Sequence, residues 1–242
     1  MRFDPEWEAF EGIFGGAVIA SLVAAARVEG YAPLSISVHF MGAVRLGEFQ
    51  LRTVTVHEGT LTASLEIELI QKYRRVAAAV KMGRTPGSRV SEQRLDLSAE
   101  PRPEAVTPVQ MPYGPYPYER HFDTRLIPDR GTSWTERARA WVRVDGAANA
   151  DLGPYELACL FLDALPPGLF FGELRPAFVP TVDFTAHFAP GVCAVADEWM
   201  YVSRDTYWAT RDFCLEGASL HTSAGQVVAH ATQTRRVRWL DG

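Results

Sequence analysis

Two short stretches 148 residues apart carry one pattern: Ile36-Ser37-Val38-His39-Phe40 and Phe184-Thr185-Ala186-His187-Phe188. Each alternates, with an apolar side chain at every second position, as a strand with one buried face requires. Further on, Val76-Ala77-Ala78-Ala79 matches Val228-Ala229-His230-Ala231 at an offset of 152. Two nearly equal offsets in the same order point to duplication of one unit within the chain. Chance likeness between two alternating strands is the competing explanation.

The segments around these strands predict the same unit twice. Ile13 to Val28 reads as a helix, opened by Gly15-Gly16 and apolar almost all round, so it is expected to be buried. Gly30 and Pro33 end it. Strands are predicted at Leu34–Phe40, Glu48–His57, Thr60–Tyr73 and Arg74–Lys81, with Glu58-Gly59 as a turn. The second unit has a strand at Arg137–Val144, an apolar helix at Pro154–Ala164, and an alternating strand at Pro180–Phe188. In that last strand Thr181, Asp183, Thr185 and His187 face one way, and Val182, Phe184, Ala186 and Phe188 the other. Glu198–Thr206, Thr210–Thr222 and Gln226–Trp239 complete the unit, with Ala224-Gly225 as a turn. Between the units, Pro101, Pro103, Pro108, Pro112, Pro115 and Pro117 break any alternation and mark a semi-extended linker. The expected organisation is an N-terminal unit at 1–95, a linker at 96–117 and a C-terminal unit at 118–242. Each unit is a buried helix with a long antiparallel meander, an α+β arrangement.

Composition narrows the function. A net charge of −5 leaves no basic footprint for nucleic acid. Cys159, Cys193 and Cys214 are odd in number and lack CxxC spacing, so neither a disulfide framework nor a zinc site is expected. No apolar run reaches the ~18 residues of a membrane span, and Met1-Arg2-Phe3-Asp4-Pro5-Glu6 has no basic lead into an apolar core. A cytoplasmic location is expected. Gly217-Ala218-Ser219-Leu220-His221 lacks the second glycine of a nucleophile elbow. P-loop, Rossmann and HExxH patterns are absent, so no cofactor and no metal are expected. His221 and His230 have no ligand spacing. His187 stands four residues along a strand from Asp183, ~13 Å away, too far to pair with it.

Phe14-Gly15-Gly16 opening a buried helix, a strand ending in His39-Phe40, Pro180-Thr181-Val182-Asp183, and Ala231-Thr232-Gln233 near the end together resemble the acyl-CoA thioesterase type II family and its thioesterase-like relatives. The resemblance spans most of the chain and implies a double hotdog fold: two tandem hotdog units, each a helix wrapped by a curved antiparallel sheet. It implies hydrolysis of an acyl-CoA, or a related acyl thioester, to acid and thiol. The family's functional trio is an Asp, a Thr or Ser, and a Gln. By position Asp183 matches the Asp and Gln233 the Gln. An ungapped match sets Tyr207 at the hydroxyl position, with Thr206 beside it. Phe184 stands where many close members have His.

Thioester hydrolysis needs an activated water and donors for the oxyanion that forms on the carbonyl oxygen. Asp183 would take the proton or orient the water, Gln233 would fix its direction, and Thr206 would add a hydrogen bond. Gly15 and Gly16 would offer helix-start N–H groups to the oxyanion, glycine allowing close approach. Each has a plainer competitor: Asp183 as a solvated strand residue, Gln233 as a sheet-end polar group, Gly15-Gly16 as a site of tight helix contact. A hotdog hydratase or dehydratase, and a non-catalytic acyl-thioester binder, are the alternative functions. Free sheet edges leave homo-oligomer formation open.

Overall fold

A computed structural model describes residues 1–84, 94–108, 115–127, 137–171, 176–191 and 193–239. A small hairpin, β1 (Glu8–Ala9) and β2 (Gly12–Ile13), leads into α1 (Gly15–Ala25). The meander β3 (Tyr31–Phe40), β4 (Gln50–Glu58), β5 (Thr62–Gln71) and β6 (Tyr73–Arg84) completes the first half. The second half runs β7 (Phe122–Leu126), β8 (Arg137–Val144), α2 (Pro154–Asp163), β9 (Thr181–Phe188), β10 (Met200–Ala209), β11 (Phe213–Thr222) and β12 (Val227–Arg236).

Ten of these strands form one antiparallel sheet in the order β4-β5-β6-β3-β9-β12-β11-β10-β8-β7. The halves join where β3 pairs with β9, with Ser37 opposite Thr185 and Val38 opposite Phe184. Alternation decides which side chains go inward. Ile36, Val38, Phe184 and Ala186 are fully buried on the concave face, where α1 and α2 lie. That face accounts for the composition of α1: Val18, Ile19, Leu22 and Val23 are all buried, because the helix is enclosed by the sheet and by its sister. The helices approach closely at Gly16, where a Cβ would lie 3.2 Å from the Cys159 carbonyl oxygen of α2. The chain is thus a double hotdog of the α+β class, two helix-in-sheet units side by side.

Strand pairing refines the repeat. Val76 lies opposite Phe40 as Ala229 lies opposite Phe188, so the second offset is 153, not the 152 that sequence matching suggests. The distinction matters, since a slip of one residue exchanges the two faces of a strand. Helix α1 stops at Ala25 rather than Val28, the backbone leaving helical geometry at Ala26 before Gly30 turns with φ of 79°. β11 starts at Phe213 rather than Thr210, because the Thr210 hydroxyl accepts the Phe213 N–H and holds a turn there. β7 has too short a pattern to stand out in the sequence.

Of the proline-rich segment, residues 109–114, with Pro112, lie outside the described residues. Residues 94–108 lie against the outer face of the second half. There Trp141 Nε1 donates to the Pro101 carbonyl at 2.7 Å, and Arg139 pairs with Glu100 at 2.7 Å. Val106, Ile127, Trp141 and Tyr201 form a small apolar cluster beneath this strap.

Candidate active site

Where the halves meet, the start of α1 opens onto a cavity of about 390 Å³. The first half supplies the β1–β2 hairpin, Phe14, Gly15 and the end of β3; the second supplies Asp163, Thr181 and Arg235. Its walls are largely aromatic. Phe14 stacks on Tyr118 with ring centroids 4.4 Å apart, and Phe10 leans on Tyr116 at 4.4 Å. Burial, with Glu119 and Asp163 nearby, pushes the Tyr118 phenol well above its ordinary pKa. It therefore stays protonated and can donate into the cavity.

The helix start is uncapped. Phe14 occupies the cap position without a side-chain hydrogen bond, its carbonyl accepting from Ala17 and Val18. The N–H groups of Gly15 and Gly16 meet no acceptor among the described residues. An α-helix concentrates positive partial charge there, so this end favours an oxygen that carries negative charge.

Facing it is Asp163, the last residue of α2. Its Oδ1 lies 3.3 Å from Gln233 Nε2 and 3.2 Å from Arg235 Nη2, while Arg204 Nη2 stands at 3.8 Å. Gln233 is almost wholly buried, and its carbonyl oxygen accepts from the Thr181 hydroxyl at 3.2 Å. An Asp, a Thr and a Gln thus form one chain of hydrogen bonds beneath the helix start. Thr181 reaches the inner face through a β-bulge. Arg235 pairs with Thr181 and Thr234 with Asp183, leaving Val182 as the extra residue. Strict alternation would have turned Thr181 outward with Asp183; the bulge re-aims it.

A second layer holds these groups. Arg204 is fully buried; its Nη1 lies 3.2 Å from Glu216 Oε2 and its Nη2 donates to the Leu162 carbonyl at 2.7 Å. Burial and the neighbouring Arg235 lower the Arg204 pKa from its ordinary value. Arg235 Nε stands 2.7 Å from Glu216 Oε2, near enough for an ion pair though not aligned as a hydrogen bond. Glu216 also accepts from the Gly168 N–H at 2.5 Å and the Thr206 hydroxyl at 3.3 Å. Two cations and two anions therefore balance inside the second half, each with hydrogen-bonding partners as buried charge requires.

The sequence-derived residues divide accordingly. Gly15 lines the cavity and Gln233 lies just behind its wall, between Thr181 and Asp163. Gly16 presents its free N–H at the same helix end, but its Cα side abuts Cys159, so tight helix contact is part of its role. Thr206 meets Glu216 and is not a cavity-lining residue. Tyr207, bulged in β10, is exposed, with its hydroxyl over Gly217. Asp183 is not brought to Gln233. It sits opposite Thr234 and His39 on the outer face, its Oδ1 accepting the Thr234 N–H at 3.2 Å, whereas Gln233 sits opposite Phe184 on the inner face. The separation follows from strand parity: 183 and 184 are neighbours and cannot share a face. The residue missed from sequence is Asp163, whose only signal is a lone carboxylate closing an apolar helix.

The repeat supplies an internal comparison. The bulge at Val182 recurs at Leu34, so Pro33, Val80 and Met82 occupy the places of Thr181, Gln233 and Arg235 in the other half. The other helix opens with Pro154, which has no N–H to offer. The polar groups and free donors are gathered at one of the two symmetry-related positions.

Sequence models of an acyl-CoA thioesterase N-terminal domain and C-terminal domain match residues 3–83 and 96–237. The chain belongs to the acyl-CoA thioesterase family. That makes it a thioester hydrolase by family. Among solved structures, a hot dog fold protein of unknown function from Alicyclobacillus acidocaldarius superposes with a TM-score of 0.81 at 20% identity, covering 99% of this chain and 92% of that one. An acyl-CoA thioesterase II from Mycobacterium marinum gives 0.70 at 15% identity, covering 95% and 90%. The dehydratase domain of PpsC from Mycobacterium tuberculosis, in complex with C12:1-CoA, gives 0.53 at 17%, covering 93% and 84%. At these identities the likeness is one of fold. No curated protein matches the sequence closely enough to count as a relative. Among the described residues no helix is long and apolar enough to cross a membrane.

Proposed function

We propose that this family member hydrolyses acyl-CoA thioesters in the cleft between its halves, with the thioester carbonyl oxygen on the free N–H groups of Gly15 and Gly16. The observation that carries this is the buried Gln233 amide, fixed on one side by Thr181 and on the other by Asp163, directly beneath an uncapped helix start. Aimed backbone donors in a site with little water stabilise an oxyanion strongly. The aromatic wall of Phe10, Phe14, Tyr116 and Tyr118 suits the acyl portion. Arg236 and Arg238 at the rim suit the phosphates of the CoA carrier.

Of the trio implied by the resemblance, we assign Gln233 to the reaction centre as the group that orients its neighbours. Thr206 acts at one remove, through Glu216 and the buried arginines. Asp183, on the outer face, is given no part in the chemistry. The cysteines Cys159, Cys193 and Cys214, none in a disulfide, suit the reducing cytoplasm.

A panel of acyl-CoAs of graded chain length, followed by free-thiol release, tests the proposal. Saturable release from at least one of them is expected, and it should fall when Gln233 is replaced by Ala. Hydration of an enoyl-CoA without thiol release would transfer the site to dehydratase chemistry. Saturable binding with no turnover would make the protein an acyl-thioester binder.

A further inference from the structure

We infer that Tyr118 is a catalytic residue of this site, its phenol O–H donating a hydrogen bond to the thioester carbonyl oxygen as negative charge gathers there; the assignment rests on the hydrolase function proposed above. Tyr118 comes from the end of the proline-rich segment, in the short 3₁₀ turn Pro117–His121. Both halves clamp this turn. From the first, Phe14 stacks on the Tyr118 ring at 4.4 Å with the planes 4° apart, and Trp7 stacks on His121 at 3.8 Å. From the second, Phe122 packs nearly perpendicular to the Tyr118 ring at 6.3 Å, and the Asp145 N–H donates to the His121 carbonyl at 3.0 Å. The ring is held in place, and its hydroxyl with it. A fixed donor stabilises developing charge without the reorganisation that water needs.

That place is beside the helix start. The Phe14 ring on which Tyr118 stacks folds back over α1, so that a Cβ on Gly16 would lie 2.6 Å from its Cε1. Tyr118 lines the cavity together with Gly15, and its hydroxyl makes no hydrogen bond with any described residue. Besides burial, the carboxylates of Glu119 and Asp163 raise the phenol's pKa and the Arg204 guanidinium lowers it. Asp163 and Arg204 belong to the network beneath the helix start, so the polar end of the ring lies inward of the rim. Other hydroxyls are engaged or misplaced. Thr181 donates to Gln233. Tyr116 leans on Phe10, and the one charge that acts on it is Glu119.

The role is donation without transfer. A phenol held above its ordinary pKa is a poor acid and keeps its proton throughout. Water attacks the carbonyl carbon, a C–O bond forms, and the π pair moves onto oxygen. That oxygen has three lone pairs, for Tyr118 and for the N–H groups of Gly15 and Gly16. Collapse restores the carbonyl and breaks the C–S bond. Of the two protons of water, one stays with the acid and the other ends on the thiol, while Tyr118 is unchanged. The linker is thereby part of the reaction centre as well as a tether.

The test compares thiol release by wild type, Tyr118→Phe and Tyr207→Phe, using the acyl-CoA that the wild type turns over fastest. Phenylalanine keeps the stack on Phe14 and removes only the donor; melting temperatures should match. Tyr118→Phe should lose about 10- to 100-fold in kcat with KM changed less than about threefold. The loss should be constant between about pH 6 and 9, because the group does not release its proton. Affinity for a trifluoromethyl ketone analogue, whose hydrate mimics the tetrahedral intermediate, should fall by a similar factor. Affinity for a thioether analogue that lacks the carbonyl should not change, and Tyr207→Phe should behave as wild type. A Tyr118→Phe with wild-type kcat, a loss confined to KM, or equal weakening of both analogues overturns the assignment while leaving the hydrolase standing. A wild type that releases no thiol from any acyl-CoA overturns both.

Discussion

The hydroxyl of Thr185 donates to that of Ser37 at 3.2 Å, and the two residues, 148 apart, are equivalent positions of the two halves. They face each other across β3 and β9, so the approximate twofold axis of the molecule runs through this contact. A residue meeting its own counterpart is what a symmetric interface between two like subunits looks like, here enclosed within one chain.

This contact should be weakly stabilising and mutually dependent. Ser37→Ala and Thr185→Ala should each cost roughly 0.5 kcal/mol, with the double variant costing less than the sum. A urea-unfolding cycle measures the coupling. Full additivity would mean that the hydroxyls act separately.

Gln233 and Thr181 should behave as a unit in the reaction. Gln233→Ala is expected to lower kcat about 100-fold, changing KM less than threefold. Thr181→Val, which keeps shape and removes the donor, should cost about tenfold. Combined, they should lose little more than Gln233→Ala alone. Steady-state kinetics on one acyl-CoA checks all three, and a change confined to KM would make these residues binders.

Arg204 and Glu216 should matter for stability out of proportion to their number. Replacing either partner alone, as in Arg204→Met or Glu216→Gln, strands charge in the interior and should cost about 3–5 kcal/mol. Chemical denaturation measures this. A loss under about 1 kcal/mol would mean that water reaches the network.

Acid should weaken the fold through His221. Burial, with His230 beside it, lowers its pKa to about 4, below the ~6.5 of an unfolded histidine. The folded state therefore prefers the neutral ring. This contribution is complete above pH ~6.5 and is lost as pH falls toward 4, roughly 2 kcal/mol after allowance for partial solvent access. Melting temperatures between pH 7 and 4 should fall less steeply for His221→Gln than for wild type.

How much of this was legible in the sequence depends on what each position answers to. Strands with one buried face write their burial into alternation, so Ile36 to Phe40 and Phe184 to Phe188 were readable and the duplicated architecture with them. Burial on all sides wrote itself into α1 as an unbroken apolar run. The site was harder, because it depends on departures from those rules. Val182 continues the alternation on paper, and only pairing with β12 reveals it as the extra residue that turns Thr181 inward. Asp163 gains its surroundings entirely from α1, β10 and β12, segments distant in the chain. Gln233 was legible because an amide at an apolar parity is an anomaly with a cost.

The substitution of Pro33, Val80, Met82 and Pro154 at the sister position has a stoichiometric outcome. Two unfused hotdog subunits would repeat every group in duplicate, and any improvement to one reaction centre would be copied into the other. Fusion released that constraint. A tight-binding thioester mimic should accordingly saturate at one equivalent per polypeptide, with the N-terminal half retained as a donor of backbone and wall.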